Sequence, residues 1–208
     1  MQLSSSVRRL LTTGAAATLL FTGAGTASAD PAVPLTAAVA AAGVRSGPYS
    51  GLHTIADLSA QRLATAGLVA AAKYGTGAPI DDPAREKQVL DSVAQQARDL
   101  GADPEATVRI FRDQIEANKL VQRALFRRWD ADPSQAPTVR PDLAEVRKEI
   151  NRINAALVQG IADSASARPA PYCDGLLIAS VAHVRHERQL DALHTVALVR
   201  SLRSVCGV

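Results

Sequence analysis

Residues 108–129 read VRIFRDQIEANKLVQRALFRRW. Val108, Phe111, Ile115, Leu125 and Trp129 fall three and four apart, the period of one face of an α-helix. Asn118 and Gln122 occupy the same stripe, one turn apart, where that period places the core. Burying two amides without partners costs about 1–3 kcal/mol each. A helix built this way must therefore face something polar as well as its own core.

Working upstream, Asp103-Pro104 supplies an N-cap residue and a proline at the first helical position, and Gly101 closes the helix before it. That earlier helix opens with the same signal, Asp82-Pro83, has Arg85 and Glu86 in its first turn, and carries the stripe Leu90, Val93, Ala97, Leu100. Before it, a helix from Leu52 to Tyr74 stops at Gly75-Thr76-Gly77. Its inner stripe is Leu52, Ile55, Ser59, Arg62, Ala66, Val69, Lys73. Arg62 and Lys73 are thus on one face, about 16 Å apart along the axis.

Downstream, a Pro- and Asp-rich loop from Asp130 to Pro141 leads to a capping box, Asp142-x-x-Glu145. The helix it opens has the stripe Leu143, Val146, Ile150, Ile153, Leu157, Ile161, with Arg147 on its flank. A break at Arg168-Pro169-Ala170-Pro171 precedes the C-terminal segment. With aromatics at 3% and no alternating strand pattern, repeat or Gly-rich phosphate loop, the chain is expected to be all-α. The expected architecture is a single-domain bundle of about six helices.

The N-terminus has the layout of a secretory signal: Arg8 and Arg9, an apolar stretch from Leu10 to Thr22, then Ala27-Ser28-Ala29. Cleavage is expected after Ala29, with a flexible leader over 30–50 and a helical domain over 51–208. No later stretch is apolar enough to span a membrane, so the mature product is expected to be exported and free of it. The whole chain has 23 Lys+Arg against 20 Asp+Glu, and loss of Arg8 and Arg9 leaves 21 against 20. A nucleic-acid partner, which wants a strong basic excess, is not expected. Arg123, Arg127 and Arg128 then read as a solvated helix face.

In an oxidising compartment, Cys173 and Cys206 read as one disulfide. A straight helix between them would separate its ends by about 50 Å, whereas a bridge needs Cα atoms within about 7 Å. If the bridge is intramolecular, the segment must fold back; the bend is placed near Leu190-Asp191, with Asp191 a candidate N-cap, giving a stapled helical hairpin. His183, His186-Glu187 and His194 match no zinc motif and read as surface histidines, so no metal site is expected.

Arg62, Lys73, Arg85 and Arg147 remain, inward-facing cations with Glu86 the only evident inner carboxylate, beside Asn118 and Gln122. Singly, each has an ordinary explanation: arginines snorkel, buried amides set register, and Asp82 caps a helix. Together they suit a small dianion held by guanidinium groups.

The order Arg62, Lys73, Asp82-x-x-Arg85-Glu86, Asn118-x-x-x-Gln122 resembles the active-site framework of the AroQ-fold chorismate mutases. The signal peptide, Arg147, the cysteine pair and Phe111-Arg112-Asp113-Gln114-Ile115 are similar to the secreted gamma class. The resemblance covers residues 50–208 and implies an isomerase that rearranges chorismate to prephenate without cofactor or metal, as a homodimer. It assigns the substrate carboxylates to Arg62, Arg85 and Arg147, with help from Asn118. Lys73 and Gln122 are assigned to the ether oxygen, and Glu86, with backbone near Asp82, to the ring hydroxyl. Two positions depart from the pattern: Asn118 stands where many relatives have Ser or Thr, and Gln122 where some secreted members have Glu. An amide donor does not titrate, so a broad pH profile is expected. The rival reading from another class is an exported, non-catalytic bundle that binds a small dicarboxylate; Lys73 and Gln122, which carboxylate binding does not need, distinguish the two.

Overall fold

The computed structural model describes residues 47–207. The expected signal peptide, its cleavage after Ala29 and most of the expected leader lie outside the described residues. Six α-helices follow in order: α1 (Pro48–Lys73), α2 (Pro83–Asp99), α3 (Pro104–Ala131), α4 (Leu143–Asp163), α5 (Cys173–Glu187) and α6 (Ala192–Ser201). A 3-10 turn at Pro133–Gln135 lies between α3 and α4, and there is no strand among the described residues.

The aspartates act as local start signals. Asp82 accepts from the Arg85 backbone N–H, Asp103 from Glu105 and Ala106, Asp142 from Ala144 and Asp191 from His194. Only half of the expected capping box forms, because Glu145 turns to Lys148 at 2.6 Å. α1 starts at Pro48, so residues 48–50 are its first turn rather than leader. Proline at the first position gives up an N–H that would have no helical partner there, so Pro48 begins the helix.

α1 is the central helix and packs against α3, α4, α5 and α6; α2 lies across α3 and α4, and α6 lies on α3. The whole expected stripe of α1 is buried. On α3, Phe111, Ile115, Asn118, Gln122 and Trp129 are buried, while Val108 and Leu125 are partly covered. The α2 stripe differs from expectation. Its buried face is Val89, Val93 and Ala97; Leu90 is only half-buried, and Leu100, the C-cap beyond the helix, is 43% exposed. Leu90 and Val89 both lie within one turn of Val93, and the position of α3 and α4 decides which of them turns inward. Close packing of α1 on the end of α4 requires Gly51, where a Cβ would stand 2.6 Å from Ser164 Oγ.

The C-terminal segment does fold back. α5 and α6 are joined by a bend in which Gln189 takes φ 50, and Cys173 and Cys206 form a disulfide with Cα atoms 5.7 Å apart. Closing a loop of this size removes about 3–4 kcal/mol of unfolded-chain entropy in the loop-closure model. Among the described residues no helix is long and apolar enough to cross a membrane.

Candidate active site

α1, α2, α3 and α4 enclose one cleft of about 660 Å³, counted to its open mouth. That size suits a small metabolite. α1 contributes Arg62, Val69 and Lys73 to its walls; the N-terminal turn of α2 contributes Asp82, Arg85 and Glu86. α3 adds Ile115, Asn118, Lys119 and Gln122, and α4 adds Leu143, Arg147 and Ile150. Every residue expected at the site therefore lines a single cavity, whose walls mix these polar groups with apolar side chains.

Arg62 is the most buried of these cations, 5% exposed. Its Nε donates to Asn154 Oδ1 at 3.0 Å and one terminal nitrogen donates to the Gln114 carbonyl at 2.9 Å. Burial pulls its pKa down to about 10, so it remains a cation at neutral pH. No carboxylate stands within ion-pair distance of it among the described residues.

Lys73 Nζ donates to the carbonyls of Pro79 at 2.8 Å and Ile80 at 3.4 Å, which ties the end of α1 to the loop before α2. Burial lowers its pKa; Asp82 opposes that shift and Arg147 adds to it. Arg85 is held at the α2–α4 rim by Gln88 Oε1 (3.3 Å) and Asn151 Oδ1 (3.2 Å). Arg147 is half-buried across the cleft.

The two amides form a chain. Asn118 Nδ2 donates to the Arg62 carbonyl at 3.4 Å, and its Oδ1 accepts from Gln122 Nε2 at 2.6 Å. This fixes which way Gln122 points, because a flipped amide would set oxygen against oxygen. One Gln122 Nε2–H is then unused, and Gln122 Oε1 is buried without a hydrogen-bond partner among the described residues. Asp82 is both the α2 cap, through the Arg85 N–H at 3.0 Å, and a cleft wall.

Sequence reasoning missed three contributors. Lys119, 8% exposed, lies 3.2 Å from Glu86 and 3.2 Å from Asp81, and also pairs with Glu116. Glu86 is therefore already engaged by a cation of its own. Asn154 and Gln114 position Arg62, and Gln114 Nε2 also donates to Ser59 Oγ (2.7 Å) and the Ser201 carbonyl (3.1 Å). Gln114 was within sight, since it sits one helical turn before Asn118. Nothing local marks Asn154, whose partner Arg62 is 92 residues away, or the pairing of Lys119 with Glu86, 33 residues away. Of the basic cluster, Arg123 pairs with Asp81 at 2.7 Å while Arg127 and Arg128 are exposed; Trp129 is buried against Tyr74 and Phe126.

The cleft thus sets five cations against Asp82 and Glu86, with Lys119 neutralised locally and spare N–H donors on Lys73 and Gln122. Such a site can bind two carboxylates and stabilise negative charge developing on a third oxygen.

Residues 53–123 match the family model described as Chorismate mutase type II. The chain is 37% identical over 157 residues to a "Secreted chorismate mutase" of Mycolicibacterium smegmatis, spanning 76% of this chain and 87% of that protein. A protein of the same name from Mycobacterium tuberculosis is 33% identical over 157 residues, 76% and 79% of the two chains. Among solved structures, a chorismate mutase from Burkholderia thailandensis superposes with TM-score 0.72 at 36% identity, over 75% of this chain and 99% of that one. A secreted chorismate mutase from Yersinia pestis shares the fold, with TM-score 0.60 at 23% identity over 73% and 94% of the two chains.

Proposed function

The chain belongs to the chorismate mutase type II family, and on that premise we propose how its cleft carries out the isomerisation of chorismate to prephenate. The reaction breaks one C–O bond as one C–C bond forms within a single molecule. No proton, electron or group is exchanged with the protein. The protein contributes by holding the compact conformer in which the reacting carbons approach, and by stabilising charge that grows on the ether oxygen.

Arg62, Arg85 and Arg147 hold the two carboxylates, and Asn118 helps by fixing the Arg62 backbone and Gln122. Lys73 and the spare Gln122 Nε2–H donate to the ether oxygen. Glu86, sharing its oxygens with Lys119, accepts from the ring hydroxyl with backbone near Asp82. The burial of Arg62 and Lys73 without a carboxylate partner carries this assignment. Neither charge is in an ion pair among the described residues, Asp82 acting on Lys73 only from beyond that distance, so both are desolvated in advance for an incoming anion.

Incubating the mature protein with chorismate, with no added metal or cofactor, and following prephenate tests it. Gln122→Ala and Lys73→Ala should each lower kcat by about 10²–10³-fold, the usual cost of one oxyanion donor. Unchanged turnover in Gln122→Ala and Arg85→Ala would sink the assigned roles, and binding without turnover would favour the dicarboxylate-binding alternative.

Two finer readings belong to the same proposal. Export with removal of residues 1–29 is supported by the two relatives named secreted, and N-terminal sequencing of protein from the medium tests it. A homodimer is supported by the apolar side chains left exposed on the C-terminal hairpin, Ile178 (70%), Val196 (59%) and Val199 (53%). Sedimentation equilibrium tests that reading; a monomer at all concentrations would remove it.

A further inference from the structure

Away from the cleft, the N-terminal turns of α1 and the C-terminal turns of α5 bring together three side chains from opposite ends of the sequence. His53 comes from α1, and His183 and Glu187, one helical turn apart, from α5. Glu187 Oε1 lies 3.1 Å from His183 Nε2, and Glu187 Oε2 lies 3.5 Å from His53 Nε2. The ligating atoms of all three fall within 4.8 Å of one another.

We propose that His53, His183 and Glu187 form a binding site for a divalent cation of the zinc class. Two imidazoles and one carboxylate are a donor set typical of that ion, with a fourth position left for water. Tetrahedral bonds of about 2.0–2.1 Å put neighbouring ligand atoms about 3.3 Å apart; the two imidazole-to-carboxylate distances, 3.1 and 3.5 Å, bracket that value, and all three ligand atoms lie within 4.8 Å of one another. His53 supplies a second, independent sign. Its Nε2 is buried and has no hydrogen-bond partner among the described residues, although it faces a carboxylate. A buried imidazole nitrogen of that kind is an open coordination position.

The surroundings fit the same role. Tyr49, one turn before His53, places its hydroxyl 3.0 Å from His183 Nδ1. With metal on Nε2, the His183 proton resides on Nδ1 and is donated to the Tyr49 oxygen, the outer hydrogen bond that orients a metal-bound imidazole. Asp57, the other carboxylate nearby, is taken up by Arg188 and Gln61, leaving Glu187 to the site. α5 is held at its first residue by the Cys173–Cys206 disulfide. The metal would fasten its other end to α1. The sequence gives no warning of this site, because His183 and Glu187 match no motif alone and His53 is 130 residues away.

Isothermal titration of tag-free, chelator-treated protein with Zn²⁺ tests the proposal. One equivalent should bind, and the Tm should rise with Zn²⁺ and fall back with EDTA. His53→Ala, His183→Ala and Glu187→Gln should each weaken binding by at least about 10-fold, and Tyr49→Phe by less. His186→Ala, which removes the neighbouring α5 histidine that lies outside the cluster, should leave the affinity unchanged. Prephenate formation should be the same with Zn²⁺ and with EDTA, which keeps this test separate from that of the cleft. Absence of saturable binding overturns the proposal. So does binding that survives His53→Ala or that is lost in His186→Ala, since either result places the ion on α5 alone.

Discussion

Replacing Arg62 by Met should separate the stability of the fold from its function. Truncating one partner of a buried ion pair ordinarily costs about 3–5 kcal/mol, because the other charge is stranded. Arg62 has no such partner to strand among the described residues. Burial alone pulls its pKa from the ordinary arginine value down to about 10. At 1.36 kcal/mol per unit, the charge costs the folded state about 3 kcal/mol at neutral pH. The sign follows from proton binding. From about 10 up to the ordinary arginine value the unfolded chain holds more protons than the folded one, so stability rises with pH across that window; below it the penalty is present in full.

Arg62→Met removes that penalty. It also removes the donor to Asn154 Oδ1 and to the Gln114 carbonyl. An orphaned buried acceptor costs about 1–3 kcal/mol, and the helix still serves the Gln114 carbonyl, so the two effects nearly cancel. Urea unfolding followed by far-UV circular dichroism should show a change of less than about 2 kcal/mol. Adding Asn154→Leu, which removes the orphan, should recover part of any loss. Meanwhile kcat/KM should drop by about 10²–10³-fold, the scale set by losing a buried charge-assisted contact to a carboxylate. A destabilisation above about 4 kcal/mol would reveal a counter-charge to Arg62 and refute the energetic reasoning. Activity within about threefold of the parent would show that the guanidinium does not face the substrate.

Three other outcomes can be checked with the same assays. Gln122→Glu should lose about 10²–10³-fold in kcat at neutral pH and recover in acid, where the carboxyl is protonated and again a donor; equal losses at both pH values would remove Gln122 from the ether oxygen. For the parent protein, kcat/KM should be flat from mildly acidic to mildly alkaline pH. It should then fall below the ordinary lysine value of 10.5, because burial makes the required Lys73 ammonium lose its proton earlier; a loss already in mild acid would point to a titrating donor instead. Cys173→Ser with Cys206→Ser should lower unfolding stability by about 3–4 kcal/mol with kcat unchanged at low temperature, since the bridge constrains the hairpin and not the cleft.

What the sequence disclosed and what it withheld divide along one physical line. Helix starts are local: Asp82, Asp103, Asp142 and Asp191 each cap a backbone N–H within three residues, so each could be read directly. Helix faces are nearly local. The stripes of α1 and α3 were legible because many residues share one period, and the polar positions within them, Arg62, Lys73, Asn118 and Gln122, point into one cleft. The middle of the α2 stripe, Val93 and Ala97, was read correctly, but at its ends Val89 rather than Leu90 is buried, and Leu100 was counted in a helix that had already ended. The direction of a face says nothing about what lies across from it. The pairing of Arg62 with Asn154, of Lys119 with Glu86 and of His53 with Glu187 depends on which helix lies beside which. That choice is made by the packing of α1 among four neighbours. The polar anomalies in a stripe thus showed that a site exists, while the side chains that aim and neutralise it became visible only with the packed bundle. Lys119 makes the point most sharply: from its spacing it is one more surface cation on α3, yet its ion pairs leave the other cleft cations free to meet a dianion.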